Sequence, residues 1–192
     1  MAVTDAELVN RVLAGSEHAF EALVHRYERP VFTVIVRVVR DPSRAEELAQ
    51  DTFLKAFRRL ETYDPRRKFS SWVLAIAHNT AIDDLRRGGG KTVSFEDLAD
   101  RGEGVIDVAS DGPGDKAERA ELARTLARAI DQLSPEYRAL VGLRYENDLD
   151  YDEIVEITGL PMGTVKSYLH RARRALGERL RAAGWGMPRQ GT

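Results

Sequence analysis

The sequence predicts an all-α protein built as two small helical domains joined by a flexible acidic linker, the C-terminal domain a helix-turn-helix. Three observations carry this expectation. Apolar residues recur at three- and four-residue spacing through almost every periodic stretch. From Gly88 to Glu118 that periodicity stops, and seven glycines and eight acids stand against three bases. Near the end of the chain, a capped short helix, a glycine turn and a basic helix follow one another. The expected boundaries are 1–87 for the first domain, 88–117 for the linker, 118–182 for the second domain and 183–192 for a tail.

The elements follow in order. Thr4 with Glu7 has the spacing of a capping box, and it starts a helix carrying Leu8, Val9, Val12 and Leu13 that Gly15 ends. Ser16 caps a second helix with Phe20, Leu23, Val24 and Tyr27 on one face. Pro30 interrupts it, so a kink or break is expected before Val34, Ile35 and Val38 continue. "DPSRAEELAQDTFLKAFRRL" starts with Pro42 in its first turn. Ala45, Leu48, Ala49, Thr52, Phe53, Ala56, Phe57 and Leu60 then form its core stripe. "ETYDPRRKF" reads as a loop, and helix resumes from Ser70 to Arg87. Beyond the linker, Arg119 to Leu133 is helical, and Ser134 with Pro135 opens another helix.

In "LDYDEIVEITG", Asp150 and Glu153 form a second capping box, Ile154 and Ile157 are the apolar positions, and Gly159 supplies a left-handed stop. The next helix buries Met162, Val165, Leu169, Ala172 and Leu176. Lys166, Ser167, His170, Arg171 and Arg174 fall on another face, with Arg173 at its edge. Between Pro161 and Ala182 there are six Lys/Arg and one acid. A solvated basic surface would explain that helix alone. The preceding helix and turn make it the recognition helix of a DNA-binding motif, which offers its first turns to base edges in the major groove.

Composition narrows the alternatives. The net charge of −2 gives no global attraction to nucleic acid, so affinity must come from local patches. The absence of cysteine excludes disulfides, thiolate metal sites and thiol redox sensing. "MAVTDAELVN" lacks the pattern of a signal peptide, and "VFTVIVRVV" is too short to span a bilayer, so a cytoplasmic protein without membrane insertion is expected. The four histidines are scattered, with no HExxH. "GGG" at Gly88–Gly90 lacks the Lys-Ser/Thr of a P-loop. Adjacent Asp83 and Asp84 point apart on a helix, and capping explains Asp150, Asp152 and Glu153. No catalytic residue, metal site or cofactor is expected.

Three motifs in order, "DPSRAEELAQDTFLKAFRRL", "FSSWVLAIAHNTAIDDLRR" and "LSPEYRALVGLRYENDLDYDEIVEITGLPMGTVKSYLHRARRAL", resemble the extracytoplasmic-function (ECF) sigma factors of bacterial RNA polymerase, within the sigma-70 family. The resemblance covers nearly all of the chain outside the linker. It implies a region 2 that binds the polymerase clamp and opens the −10 element, and a region 4 that binds the −35 element and the polymerase flap. Core RNA polymerase, promoter DNA and an anti-sigma factor are the implied partners. Val155 departs from the family's usual small Ala at a helix crossing, and Tyr168 from a common Arg.

Site residues follow from residues and resemblance together. Lys166, Ser167, His170 and Arg171 are expected to face the duplex −35 element, with Arg173 and Arg174 at phosphate or flanking sequence. By resemblance, Glu47, Gln50 and Asp51 dock on the clamp helices, although a merely solvated face would look the same from spacing. Arg66, Arg67 and Lys68 lie in a loop beside Tyr63 and before Trp72 and Asn79. Cations near aromatics are what single-stranded DNA binding uses, although Trp72 also fits the apolar stripe of its helix. The resemblance adds that this loop forms a pocket for one flipped −10 base, with Asn79 lining it. The alternative function is an autonomous two-domain helix-turn-helix regulator that acts without joining polymerase.

Overall fold

A computed structural model describes residues 3–88 and 116–185, and every regular element among them is helical. The expected linker falls almost wholly outside the described residues, as does most of the expected tail. Helix α1 (Asp5–Leu13) opens on a complete capping box. The Glu7 amide donates to Thr4 Oγ1 at 3.3 Å, and the Thr4 amide donates to Glu7 Oε2 at 2.9 Å. Gly15, at φ 91°, turns the chain, and Ser16 caps α2 (Glu17–Val39) by accepting from the Ala19 amide.

Helix α2 runs through Pro30 as one helix, so of the expected kink or break the break does not occur. An internal proline costs about 3 kcal/mol through its missing donor and its clash with the preceding turn. Here Leu23, Tyr27, Val31, Val34, Ile35 and Val38 are all buried on both sides of it. Each such burial contributes about 1.5–3 kcal/mol, so tertiary packing overrides the local break. Arg40 ends α2 in the left-handed conformation at φ 62°. Asp41 accepts from the Arg44 amide at 3.1 Å and caps α3 (Pro42–Arg58). After a 3₁₀ turn at Leu60–Thr62, α4 (Phe69–Arg87) packs against both α2 and α3.

The second half holds α5 (Lys116–Asp131), α6 (Pro135–Val141), a π turn at Gly142–Glu146, α7 (Tyr151–Thr158) and α8 (Met162–Ala182). Ala129, Ile130, Leu133, Tyr137, Val141, Ala172 and Leu176 form a small core of their own between α5, α6 and α8. The larger core is shared by the two halves. It runs without interruption from Leu8, Val34, Ile35, Val73 and Leu74 to Leu140, Leu143, Ile154, Ile157, Val165 and Leu169. Helix α6 rests on α2, and α7 rests on α4. Helical spacing marks Leu8, Val34, Ile35, Ile154, Ile157, Val165 and Leu169 as apolar faces but carries no information about what buries them.

Candidate functional site

The helix-turn-helix is built as its residues dictate. Glu153 donates its amide to Asp150 Oδ1 at 2.8 Å and returns a carboxylate oxygen to the Asp150 amide at 2.9 Å. Gly159 takes φ 69°, and its amide donates to Val155 O at 2.9 Å. A Cβ on Gly159 would meet nothing within 4 Å, so the need for glycine there is conformational rather than steric. Val165, Leu169, Ala172 and Leu176 anchor α8 in the core. The opposite face presents Lys166, His170, Arg171 and Arg173 to solvent, with no ion pair to any of them among the described residues. Ser167 is half-buried. Arg174 is also half-buried, and its Nε donates to Glu178 Oε1 at 3.1 Å, so it offers less free charge than its neighbours. Tyr168 packs its ring on Tyr137 at 5.5 Å, which ties α8 to α6. Val155 is half-buried against the shared core.

The loop ahead of α4 is held from below. Tyr63 is only 9% exposed, so its ring is not offered to an unpaired base as expected. It packs on Phe69 at 5.4 Å and Trp72 at 5.6 Å, and its hydroxyl donates to Arg67 O at 2.6 Å. The cause is a cluster of four rings, completed by Tyr27, whose burial outweighs exposure of any one of them. Trp72 belongs to this cluster and is half-buried. Above it, Arg66, Arg67 and Lys68 are exposed. Arg66 forks onto Asp64, with Nε–Oδ1 at 2.9 Å and Nη2–Oδ2 at 2.7 Å, which lowers the Asp64 carboxyl to about 2. Arg67 pairs with Glu156 at 3.1 Å and Lys68 with Glu153 at 2.7 Å, both on α7. Asn79 is exposed on α4, as Lys68 is just ahead of that helix. Eleven residues separate the two, about 16 Å at 1.5 Å per residue.

On α3, Glu47, Gln50 and Asp51 are all exposed, and Glu47 accepts from Arg44 Nη1. Two further residues share that face and were not anticipated from the sequence. Leu54 is 53% exposed and Phe57 is 52% exposed. Phe57 falls in the core stripe expected from the sequence, yet it stays half-exposed, with a T-shaped contact to Phe20 at 4.9 Å. Positions 47, 50, 51 and 54 repeat at helical spacing, so Leu54 was available as a signal. The result is a polar rim around two exposed apolar side chains.

This geometry coincides with two family models: sigma-70 region 2 over residues 23–91 and sigma-70 region 4 over residues 123–176. The chain is 34% identical over 179 residues to the ECF RNA polymerase sigma factor SigW of Bacillus subtilis, covering 90% of this chain and 95% of that one. The chain belongs to the ECF sigma factors.

It is also 36% identical over 183 residues to the RNA polymerase sigma-H factor of Pseudomonas aeruginosa, covering 92% and 93% of the two chains. Among solved structures, CnrH, determined in complex with the cytosolic domain of CnrY, matches with a TM-score of 0.66 at 25% identity, over 93% of this chain and 97% of that chain. The sigma factor RpoE of Bartonella quintana shares the fold with a TM-score of 0.62 at 23% identity, over 84% and 96%. This sigma factor therefore serves RNA polymerase in transcription initiation, a regulatory task and not a catalytic one. Its region 2 match takes in α3 and α4, and its region 4 match takes in α6, α7 and most of α8. No helix among the described residues is long and apolar enough to cross a membrane.

Proposed function

We propose that the three surfaces divide the work of initiation between them. The exposed side of α8, with Lys166, Ser167, His170 and Arg171, reads the duplex −35 element, while Arg173 and the partly neutralised Arg174 contact phosphate or flanking sequence. The α3 face of Glu47, Gln50 and Asp51 docks on the polymerase clamp, and Leu54 and Phe57 supply the apolar centre that such an interface needs. Arg66, Arg67 and Lys68 follow the backbone of the separated −10 strand, Tyr63 holds their loop in place, and Asn79 meets an unpaired base farther along. An amide suits a flipped base because it both donates to and accepts from a Watson–Crick edge. The protein works in the cytoplasm, without cofactor or metal, and an anti-sigma protein holds it silent. CnrH, captured with the cytosolic domain of a second protein, supports that last role.

The observation that carries the reading is the loop itself, three exposed cations in sequence above a buried ring cluster. Asn79→Ala and Ala substitutions at Arg66–Lys68 are expected to impair promoter opening and to leave holoenzyme assembly intact. Permanganate footprinting on duplex promoter checks the first point, and transcription from a template with a premelted −10 bubble separates melting from base capture. Loop variants that fail only in melting recover on the bubble, whereas a lost base contact persists there. Variants that open duplex promoter as well as wild type would remove this site. The autonomous-regulator alternative has no observation in its favour.

A further inference from the structure

Helix α1 contributes to none of the three proposed surfaces, and it precedes the region 2 match, which starts at residue 23. Leu8, Val9 and Val12 are buried and secure it on α2. Thr4 and Glu7 close its capping box, which leaves the Asp5 carboxylate free for other partners. That carboxylate reaches α2 and divides there. Oδ1 accepts from Arg26 Nη1, and Arg26 Nη2 donates to Val3 O at 2.9 Å, so this branch turns back to the chain just ahead of α1. Oδ2 accepts from the Tyr27 hydroxyl at 2.6 Å, and this branch leads inward. The Tyr27 ring, 9% exposed, lies 5.3 Å from Phe69, the first residue of α4. Phe69 lies 5.4 Å from Tyr63, whose hydroxyl holds the Arg67 carbonyl of the −10 loop. Burial raises the Tyr27 hydroxyl above its usual range and the Asp5 bond raises it further, so it stays a donor. Burial, then the charge of Asp5, raises the Tyr63 hydroxyl as well, so the carboxylate is felt on the far side of Phe69. Helix α1 also touches the 3₁₀ turn Leu60–Thr62 that leads into Tyr63.

We propose that Asp5 is a positioning residue for promoter opening, setting the floor of the 66–68 loop through Tyr27, Phe69 and Tyr63. The proposal rests on the −10 reading of that loop given above. Cations already held in place capture a strand most readily, because ordering them at capture costs binding free energy. A hydrogen bond to a carboxylate is shorter and stronger than one between neutral groups, so it fixes the Tyr27 ring firmly. Packed rings leave no free space to absorb a shift, so a tilt of Tyr27 passes to Phe69 and on to Tyr63. Without Asp5 the buried Tyr27 hydroxyl loses its acceptor and must turn to find another. The Arg26 branch has no such route to the loop.

Asp5→Ala and Tyr27→Phe test this in the full chain assembled with core polymerase. Tyr27→Phe keeps the ring, so it decides the matter even where Asp5→Ala disturbs folding. Permanganate reactivity on duplex promoter reads the opening rate, and pull-down of core polymerase reads assembly. Loss of one such hydrogen bond predicts opening about fivefold slower in both variants, with assembly unchanged. Together in one chain they should be no slower than either alone, since both cut the same link. Arg26→Ala removes the other branch and should open promoter at the wild-type rate. The emission of Trp72, the sole tryptophan once Trp185→Phe is introduced, should shift in Asp5→Ala and Tyr27→Phe and not in Arg26→Ala. Slow opening in Arg26→Ala would mean that α1 matters only by staying docked, and would overturn the proposal. Slow variants with unchanged Trp72 emission would overturn it too, by placing the effect outside the ring cluster. Wild-type opening in Asp5→Ala and Tyr27→Phe, beside slow opening in the Ala variants at Arg66–Lys68, would remove Asp5 and keep the −10 reading. Wild-type opening in those loop variants would remove the −10 reading, and the role of Asp5 with it.

Discussion

His78 lies on α4 with Nδ1 buried and without a hydrogen-bond partner among the described residues. Burial alone pushes its pKa down to about 4 from 6.5. The unfolded chain takes up this proton near pH 6.5 and the folded chain resists it until about 4. Stability is therefore full above pH 6.5 and falls as pH drops toward 4, by at most about 1.4 kcal/mol per pH unit. Urea unfolding between pH 7.5 and 5 should show this loss, and His78→Gln should flatten it. A second prediction at this scale concerns α3. Under the proposed docking of α3, Asp51→Arg reverses a charge at the interface and should cost several kcal/mol of core polymerase binding. Phe57→Ala, half-exposed as it is, should weaken holoenzyme by about 1–2 kcal/mol and leave the melting temperature nearly unchanged. Quantitative pull-down beside thermal melts checks both variants, and loss of fold in either would return that residue to the core. The exposed cations of α8 could be read from the sequence because charge follows a helical period. The exposure of Leu54 is legible too, because it falls on the polar face with positions 47, 50 and 51, whereas that of Phe57 is not, since an apolar side chain at a core-stripe position reads the same whether it faces a core or a partner.

Local elements were legible wherever a side chain satisfies its own backbone. Both capping boxes and the left-handed Gly159 are short-range devices, and each forms as its spacing demands. Pro30 misled because its local cost is real and the burial that offsets it comes from helices distant in sequence. Tyr63 misled in the opposite sense. It stands among loop cations in the chain and beneath them in the fold, where its hydroxyl holds Arg67 O at 2.6 Å. Tyr63→Phe removes that bond and keeps the ring cluster. It should cost about 1 kcal/mol of stability. The larger expected effect is slower promoter opening with normal holoenzyme assembly, read by the rate of permanganate reactivity. An opening rate equal to wild type would deny the loop its dependence on this tether.

At the scale of the whole molecule, two helical halves, their order and the helix-turn-helix were all legible, because amphipathic stripes and three ordered motifs carry them. The contact between the halves was not. Arg37 and Glu146 are 109 residues apart, Arg138 reaches carbonyls about 100 residues away, and no pattern of spacing joins such pairs. A sigma factor redirects RNA polymerase, whereas an independent regulator acts on DNA alone. The most direct measurement is transcription in vitro on fragmented genomic DNA with bacterial core polymerase, with and without the full chain, mapping the 5′ ends of the transcripts. New, discrete start sites should appear only with the protein and share sequence blocks near −35 and −10. These should be lost with Arg171→Ala and with Asp51→Arg. Core polymerase that gains no start sites, while the protein binds duplex DNA alone, would contradict it.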